Sequence, residues 1–264
     1  MKRVFGVAVL MCVFAWPAHA DVTVKMTTTG PAMGPGRAGG RGAGTSEIPT
    51  TYYIKGGKAR IDMVMAGREM STILDPATHQ MISLNPETKE AIIYDLAKLG
   101  EQMQQSVQMG DVKVSMTPTG ETKQLLGRTC TGYMLSVTMP MSMGGRGGDM
   151  GSMTVTLGGP VWIAKDAPGT TDFAAFYKAA AESGFFSFGG RGGRGNPGMQ
   201  ERGMAAMYKA FSEAGGIPYE QEMQVKMEGA PSMPPTVTKV TSVSTDPIPV
   251  DTFQIPAGYT KKIQ

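Results

Sequence analysis

Cysteine and histidine are nearly missing from this chain: among 264 residues there are two of each. One of each lies in the first 20 residues, so the remainder carries Cys130 and His79 alone, and an internal disulfide is excluded. Stability has to come from packing. A zinc site has no ligand set, because neither a second histidine nor a Cys/His cluster accompanies His79. His79 falls in an expected turn with no nucleophile beside it, and reads as an exposed turn residue rather than a general base. Cys130, in the phrase GRTCTGY, begins a strand-like stretch and reads as a small buried hydrophobe, with intermolecular pairing or a redox role as the alternative. No catalytic set and no cofactor motif emerges, so the chain is read as non-enzymatic.

Long apolar runs are missing too, except at the start. Lys2 and Arg3 precede an apolar run from Val4 to Trp16, Pro17 breaks it, and Ala18-His19-Ala20 places small residues where a signal peptidase cleaves. Residues 1–20 are therefore expected to be a signal peptide, with an exported, periplasmic protein starting at Asp21. The run of 13 residues, at ~1.5 Å each, covers about two-thirds of a ~30 Å bilayer core, which argues against a permanent span. Cys12 does not read as a lipid-attachment site, because the large Met11 precedes it and the apolar run continues past it. A dominant charge is also lacking. Setting aside Lys2 and Arg3 leaves 23 basic against 22 acidic residues, so nothing in the balance attracts nucleic acid. The glycine-flanked Arg41, Arg146, Arg191 and Arg194 read as solubilising residues of long loops in an exported protein, with no nucleic-acid partner.

What the chain has in quantity is methionine, 23 residues, and glycine, 36. It also has strict two-residue alternation, the mark of half-buried strands. Val22, Val24 and Met26 alternate with polar residues, as do Ala59, Ile61, Met63 and Met65 with Lys58, Arg60, Asp62 and, less cleanly, Val64. The pattern returns in Val112, Val114 and Met116, in Met153, Val155 and Leu157, and over Tyr219 to Met227, where Glu220, Glu222, Gln224 and Lys226 face the other way. Asp75-Pro76-Ala77-Thr78 and Asn85-Pro86-Glu87-Thr88 read as turns of a three-strand meander through Ser71–Leu74, Met81–Leu84 and Ala91–Tyr94. Tyr52–Ile54 and Pro160–Ala164 add further strands. Three helices are expected: one on Leu96, Leu99, Met103 and Val107; one on Phe173, Phe176, Tyr177 and Ala180, with Asp172 as N-cap and Gly184 as stop; one on Met204, Met207, Tyr208 and Phe211 before Gly215-Gly216. Segments 30–44, 140–151 and 189–203, built from Gly, Arg, Met and Pro, are expected to be mobile loops of one domain over 21–264.

The phrases YYIKGGKARIDM (52–63), STILDPATHQMISLNPETKEAIIYDL (71–96), VWIAKD (161–166), GIPYEQEM (216–223) and FQIPAGY (253–259) occur in this order. Together they resemble a bacterial envelope family known as a domain of unknown function, which is similar to the lipoprotein-carrier superfamily of LolA and LolB. The resemblance implies an α+β fold: a strongly curved antiparallel half-barrel with about three helices lying over an apolar concave face. In the carriers that cavity holds acyl chains; no residue-level motif for lipoprotein transport is matched here, and the Gly/Met insertions depart from the pattern.

Two uses of methionine follow. Met26, Met63, Met65, Met116, Met153, Met223 and Met227 all fall at apolar parity in their strands, and unbranched polarizable side chains re-pack around differently shaped guests. They are the candidates for lining a site for an acyl chain, another lipid or a lipidated envelope partner; the alternative is a structural envelope protein whose core its own side chains fill. Met139, Met141 and Met143, with Met150 and Met153 behind them, resemble thioether clusters that capture copper(I). The sequence leaves the oligomeric state open.

Overall fold

The computed structural model of the chain describes residues 21–31, 45–98, 112–145, 148–182, 197–229, 232 and 234–264, with backbone alone at 141–145, 148–153 and 197–201. The expected signal peptide and Leu99, Met103 and Val107 of the first expected helix lie outside them. Among the described residues, twelve strands form one open, curved sheet in the order β12-β6-β5-β4-β3-β2-β1-β11-β10-β9-β8-β7. The strands are β1 (Val22–Pro31), β2 (Thr45–Lys55), β3 (Lys58–Met65), β4 (Arg68–Asp75), β5 (Gln80–Asn85), β6 (Glu90–Asp95), β7 (Lys113–Leu125), β8 (Arg128–Gly145), β9 (Gly148–Ala164), β10 (Ile217–Met227), β11 (Thr236–Ser244) and β12 (Thr260–Ile263). All neighbours are antiparallel except β12 and β6, which run parallel.

Local chemistry accounts for the meander. At the second turn the Asn85 side-chain oxygen accepts hydrogen bonds from the Glu87 and Thr88 N–H groups at 3.0 and 3.2 Å. At the first, Pro76–Thr78 make one turn of 3-10 helix, ended by His79 in the left-handed region. His79 is exposed, as its place in the sequence implied.

Helix α1 (Thr170–Glu182) and helix α2 (Pro197–Ala214) pack on one face of the sheet, α1 against β2 and β10, α2 against β7 and β8. The helix expected at Leu96 is seen only over 96–98. Asp172 is not the N-cap of α1: the helix begins two residues earlier, at Thr170, and the carboxylate lies in its first turn, where it opposes the positive end of the helix dipole. Helix α2 ends as expected: Gly215, at φ +68°, donates its N–H to the Phe211 carbonyl, a backbone position that favours glycine.

Two expected loops are corrected. Most of Pro140–Gly151 belongs to the hairpin of β8 and β9, paired from Pro140 with Thr154 out to Gly145 with Gly148. The last part of 189–203, residues 197–203, is the start of α2. Glycine content misleads in both places, because a ladder of backbone hydrogen bonds to an existing partner strand does not need side-chain propensity. Of segment 30–44, Gly30 and Pro31 continue β1; 32–44 lie outside the described residues.

Most buried side chains among the described residues fall into two groups on opposite faces of the sheet. The large core joins the inner face, with Val22, Val24, Ile54 and Leu135 among its members, to Phe173, Phe176 and Phe211 of the helices. A small cluster of Ile73, Leu84 and Ala91 occupies the back of β4, β5 and β6. The C-terminal segment covers it with Phe253, Ile255 and Tyr259, then adds β12 to the sheet edge. This strap is held along its course. The Asp21 carboxylate accepts from Lys55 Nζ at 2.7 Å and from the Ile248 N–H at 2.6 Å, and Arg60 donates to the Thr252 carbonyl at 3.1 Å. Partial burial would raise the Asp21 pKa, but the Lys55 ammonium and the Ile248 N–H outweigh it and hold the carboxyl below its ordinary value.

Candidate functional site

The middle of the inner face is filled. Tyr52 of β2 makes edge contacts with Phe173 and Phe176 of α1 at ring separations of 6.0 and 5.9 Å. Tyr177 meets Tyr208 of α2 at 4.6 Å and Phe211 at 5.6 Å. The Tyr208 and Tyr52 hydroxyls share a hydrogen bond. Burial pushes the phenols of Tyr52, Tyr177 and Tyr208 up, the last two well above the usual value, so all three stay neutral and serve as packing.

The candidate methionines distribute around this plug. Met26 is buried in the core, and Met63, Met116, Met223 and Met227 are half-buried against it. Met65 is 44% exposed, which corrects its place among the lining candidates. It keeps the apolar parity of β3, but it pairs with Arg68 at the tip of the β3–β4 hairpin, where no side chain from 64 to 70 is covered. Met153 is described in backbone alone, opposite Met141.

The methionines considered for copper do not sit on a free loop. Met139 is 6% exposed and lies inward under α2, where a Cβ on Gly203 would come within 2.6 Å of its sulfur. Glycine at 203 is what lets the helix approach this closely. Met141 and Met143 continue the same paired strand, and their side chains lie outside the described residues. No group of three or more His, Cys, Asp or Glu that could hold a metal ion occurs among the described residues. Cys130 is fully buried and unpaired by disulfide; burial pushes its thiol up, helped by the Asp166 and Glu220 carboxylates. A thiol in that state is a packing group.

An open cleft of about 510 Å³ lies between α2 and the β7–β8 edge of the sheet. Val112, Val114 and Met116 form one wall, Tyr133 and Pro118 its end, and Ala206, Ala210 and Ala214 the helix wall. The alanines recur at four-residue spacing, so their small side chains make one shallow stripe facing the strand. Lys209 and Glu213 stand at the rim, 4.0 Å apart and exposed. Pro118, Tyr133, Val161, Gln221, Thr238 and Thr28 are successive cross-strand partners, so one transverse row leads from the cleft into the middle of the sheet.

That row holds polar residues on a mostly apolar face, which also carries Thr50, Thr72, Ser83, Thr131 and Thr236. Thr28 and Thr238 share a hydrogen bond of 2.9 Å between their hydroxyls, and Thr238 is 9% exposed. Gln221 follows on β10. Parity carried a signal for both: Thr28 continues Val22, Val24 and Met26, and Gln221 precedes Met223, Val225 and Met227 at the same two-residue step. The alanine stripe of α2 carried a weaker one, since the apolar pattern of the helix drew the reading to Met204, Met207, Tyr208 and Phe211.

Residues 42–189 match the family model described as Domain of unknown function (DUF4412). No curated protein matches the chain. Among solved structures it is similar, over 93% of its length and with 9% identity, to one described as "Structure of PNGF-II in C2 space group", at a TM-score of 0.38. The chain spans 31% of that structure's length.

Proposed function

The chain belongs to the DUF4412 family of domains of unknown function, and from that premise we propose that it is an exported, non-catalytic envelope protein that binds an apolar ligand. The ligand is an acyl chain or another lipid, free or attached to a partner protein. The observation that carries this reading is the cleft between α2 and β7–β8, whose volume of about 510 Å³ falls within the ~300–1,000 Å³ of small-molecule sites. Its strand wall and helix stripe are aliphatic, with Met116 as the adaptable member and small alanines leaving room opposite, while Tyr133, Lys209 and Glu213 complete the lining. Half-buried Met63, Met223 and Met227 extend the deformable surface along the inner face. The half-barrel of the LolA and LolB carriers, expected from sequence phrases, belongs to the same proposal.

The aromatic plug favours a second reading, a structural envelope protein whose interior its own side chains occupy. Native mass spectrometry of the protein purified from its own envelope separates the two. Co-purifying lipid is expected, and Ala210→Trp, which fills the cleft from the helix side, should remove it without lowering the melting temperature by more than a few degrees. Protein that is lipid-free in the wild type would establish the structural reading. Bound copper in place of lipid would make the methionine run at 139–143 the functional element.

A further inference from the structure

Lys209 stands where two hollows meet. The cleft beside β7 has a neighbour of about 240 Å³ between α1 and α2, and Ala206 and Lys209 line both. The second hollow is lined by the alanines Ala181, Ala205 and Ala206, and its charged residues are Lys178 and Glu182 of α1 and Lys209 of α2. Two ammonium groups from neighbouring helices thus border one small open space. Lys178 is exposed and has no ion-pair partner among the described residues. The partner of Lys209 is Glu213, 4.0 Å away, with the two side chains 73% and 69% exposed, a pair worth little in water. Both ammonium groups are therefore available to an incoming anion.

We propose that Lys209, with Lys178 beside it, holds the carboxylate of a single-chain fatty acid whose hydrocarbon tail lies along the cleft between β7 and α2. This inference rests on the apolar-ligand reading and names the ligand class. The course of the tail follows from the lining: Ala206, Ala210 and Ala214 succeed one another over about 12 Å of helix at ~1.5 Å per residue, opposite Val112, Val114 and Met116 of the strand wall. Gly203, at the Ala206 end of this stripe, lies over Val137, the cross-strand partner of Val114. The end of the cleft that adjoins the second hollow is thus the Val112–Val114 end, and the tail runs from there toward Pro118 and Tyr133. The head stays at an exposed rim and keeps part of its hydration, which spares most of the cost of burying a charge. A singly charged head is favoured, because Glu182 lines the same hollow and Glu213 the cleft, and each opposes a second negative charge.

The test is displacement of diphenylhexatriene, an uncharged apolar fluorescent probe, from the full-length protein at pH 8 and low ionic strength, with each amphiphile below its micelle concentration. Sodium laurate is expected to displace it at about tenfold lower concentration than 1-dodecanol, which has the same chain length and no charge. Dodecyl phosphate should be weaker than laurate, and dodecyltrimethylammonium weakest. Raising the salt concentration should shrink the advantage of laurate over the alcohol. Lys209→Met should bring laurate to the level of the alcohol and leave the alcohol unchanged; Lys178→Met should do the same in part. Lys209→Glu should make dodecyltrimethylammonium a better displacer than laurate. All three variants should melt at the wild-type temperature, since both lysines are exposed. Equal displacement by laurate and dodecanol in the wild type overturns the head site and leaves the apolar-ligand reading standing. An advantage of laurate that survives both methionine substitutions puts the head elsewhere and also overturns it, and a dodecyl phosphate tighter than laurate overturns the carboxylate. Failure of the protein to bind the probe and all four amphiphiles overturns both readings.

Discussion

Met63 and Met65 show how far a side chain's parity determines its fate. Both point to the inner face of β3, yet Met63 packs against the core and Met65 stands exposed beside Arg68 at the hairpin tip. Burial needs a covering group as well as the right face, and the hairpin runs past whatever covers Met63. Met63→Asp should therefore cost about 1–3 kcal/mol in chemical denaturation, as expected for a polar group forced into a half-dry site. Met65→Asp should stay within ~0.5 kcal/mol of wild type, like other surface changes. Equal costs at the two positions would mean that the tip is covered in solution.

The C-terminal strap closes the back of the sheet and determines how that edge behaves. Phe253, Ile255 and Tyr259 shield the small cluster behind β4–β6, and β12 pairs with the otherwise unpaired side of β6. Strand edges left open invite pairing with other chains, so the strap also acts against association. Phe253 is half-buried, and its truncation should cost less than the ~3–5 kcal/mol of a fully buried phenylalanine; about 2 kcal/mol is expected for Phe253→Ala in urea melts. Val250→Ala in the same strap, at a side chain 68% exposed, should be nearly silent. If Phe253→Ala proves equally silent, the strap rests on its backbone and ion-pair anchors at Asp21, Lys55, Arg60 and Lys262 instead of its apolar contacts.

One large core ties strands from both halves of the chain, because β1 is flanked by β2 on one side and β11 on the other. Opening the sheet should consequently be a cooperative event, and Cys130 reports it. Its thiol is fully buried on β8, between Lys123 of β7 and Ala164 of β9. Burial and nearby carboxylates keep it protonated. In a Cys12→Ser chain, modification by a disulfide reagent at pH 8 should follow the unfolding rate measured by fluorescence across a denaturant series. Fast modification under native conditions would show that the β7 edge frays on its own.

The strands and their faces were legible in the chain because burial of alternate residues is a local, period-two property: β1, β3, β10 and the meander through Asn85 could be read directly. So could the helices around Phe176 and Tyr208, from stripes that each needed a surface to cover. The hairpin over Pro140–Gly145 was not legible, since its backbone is ordered by pairing with β9 and not by its own glycines and methionines. The cleft and the Gln221 row escaped for a related reason. Each is assembled from elements distant in sequence, β7 with α2 in one case and β10, β11 and β1 in the other, and strand order is set by how the whole sheet buries its face. Alternation determined which side chains turn inward; only three-dimensional packing decided that α1 and α2 fill the centre with aromatic rings and leave the cleft beside β7 open.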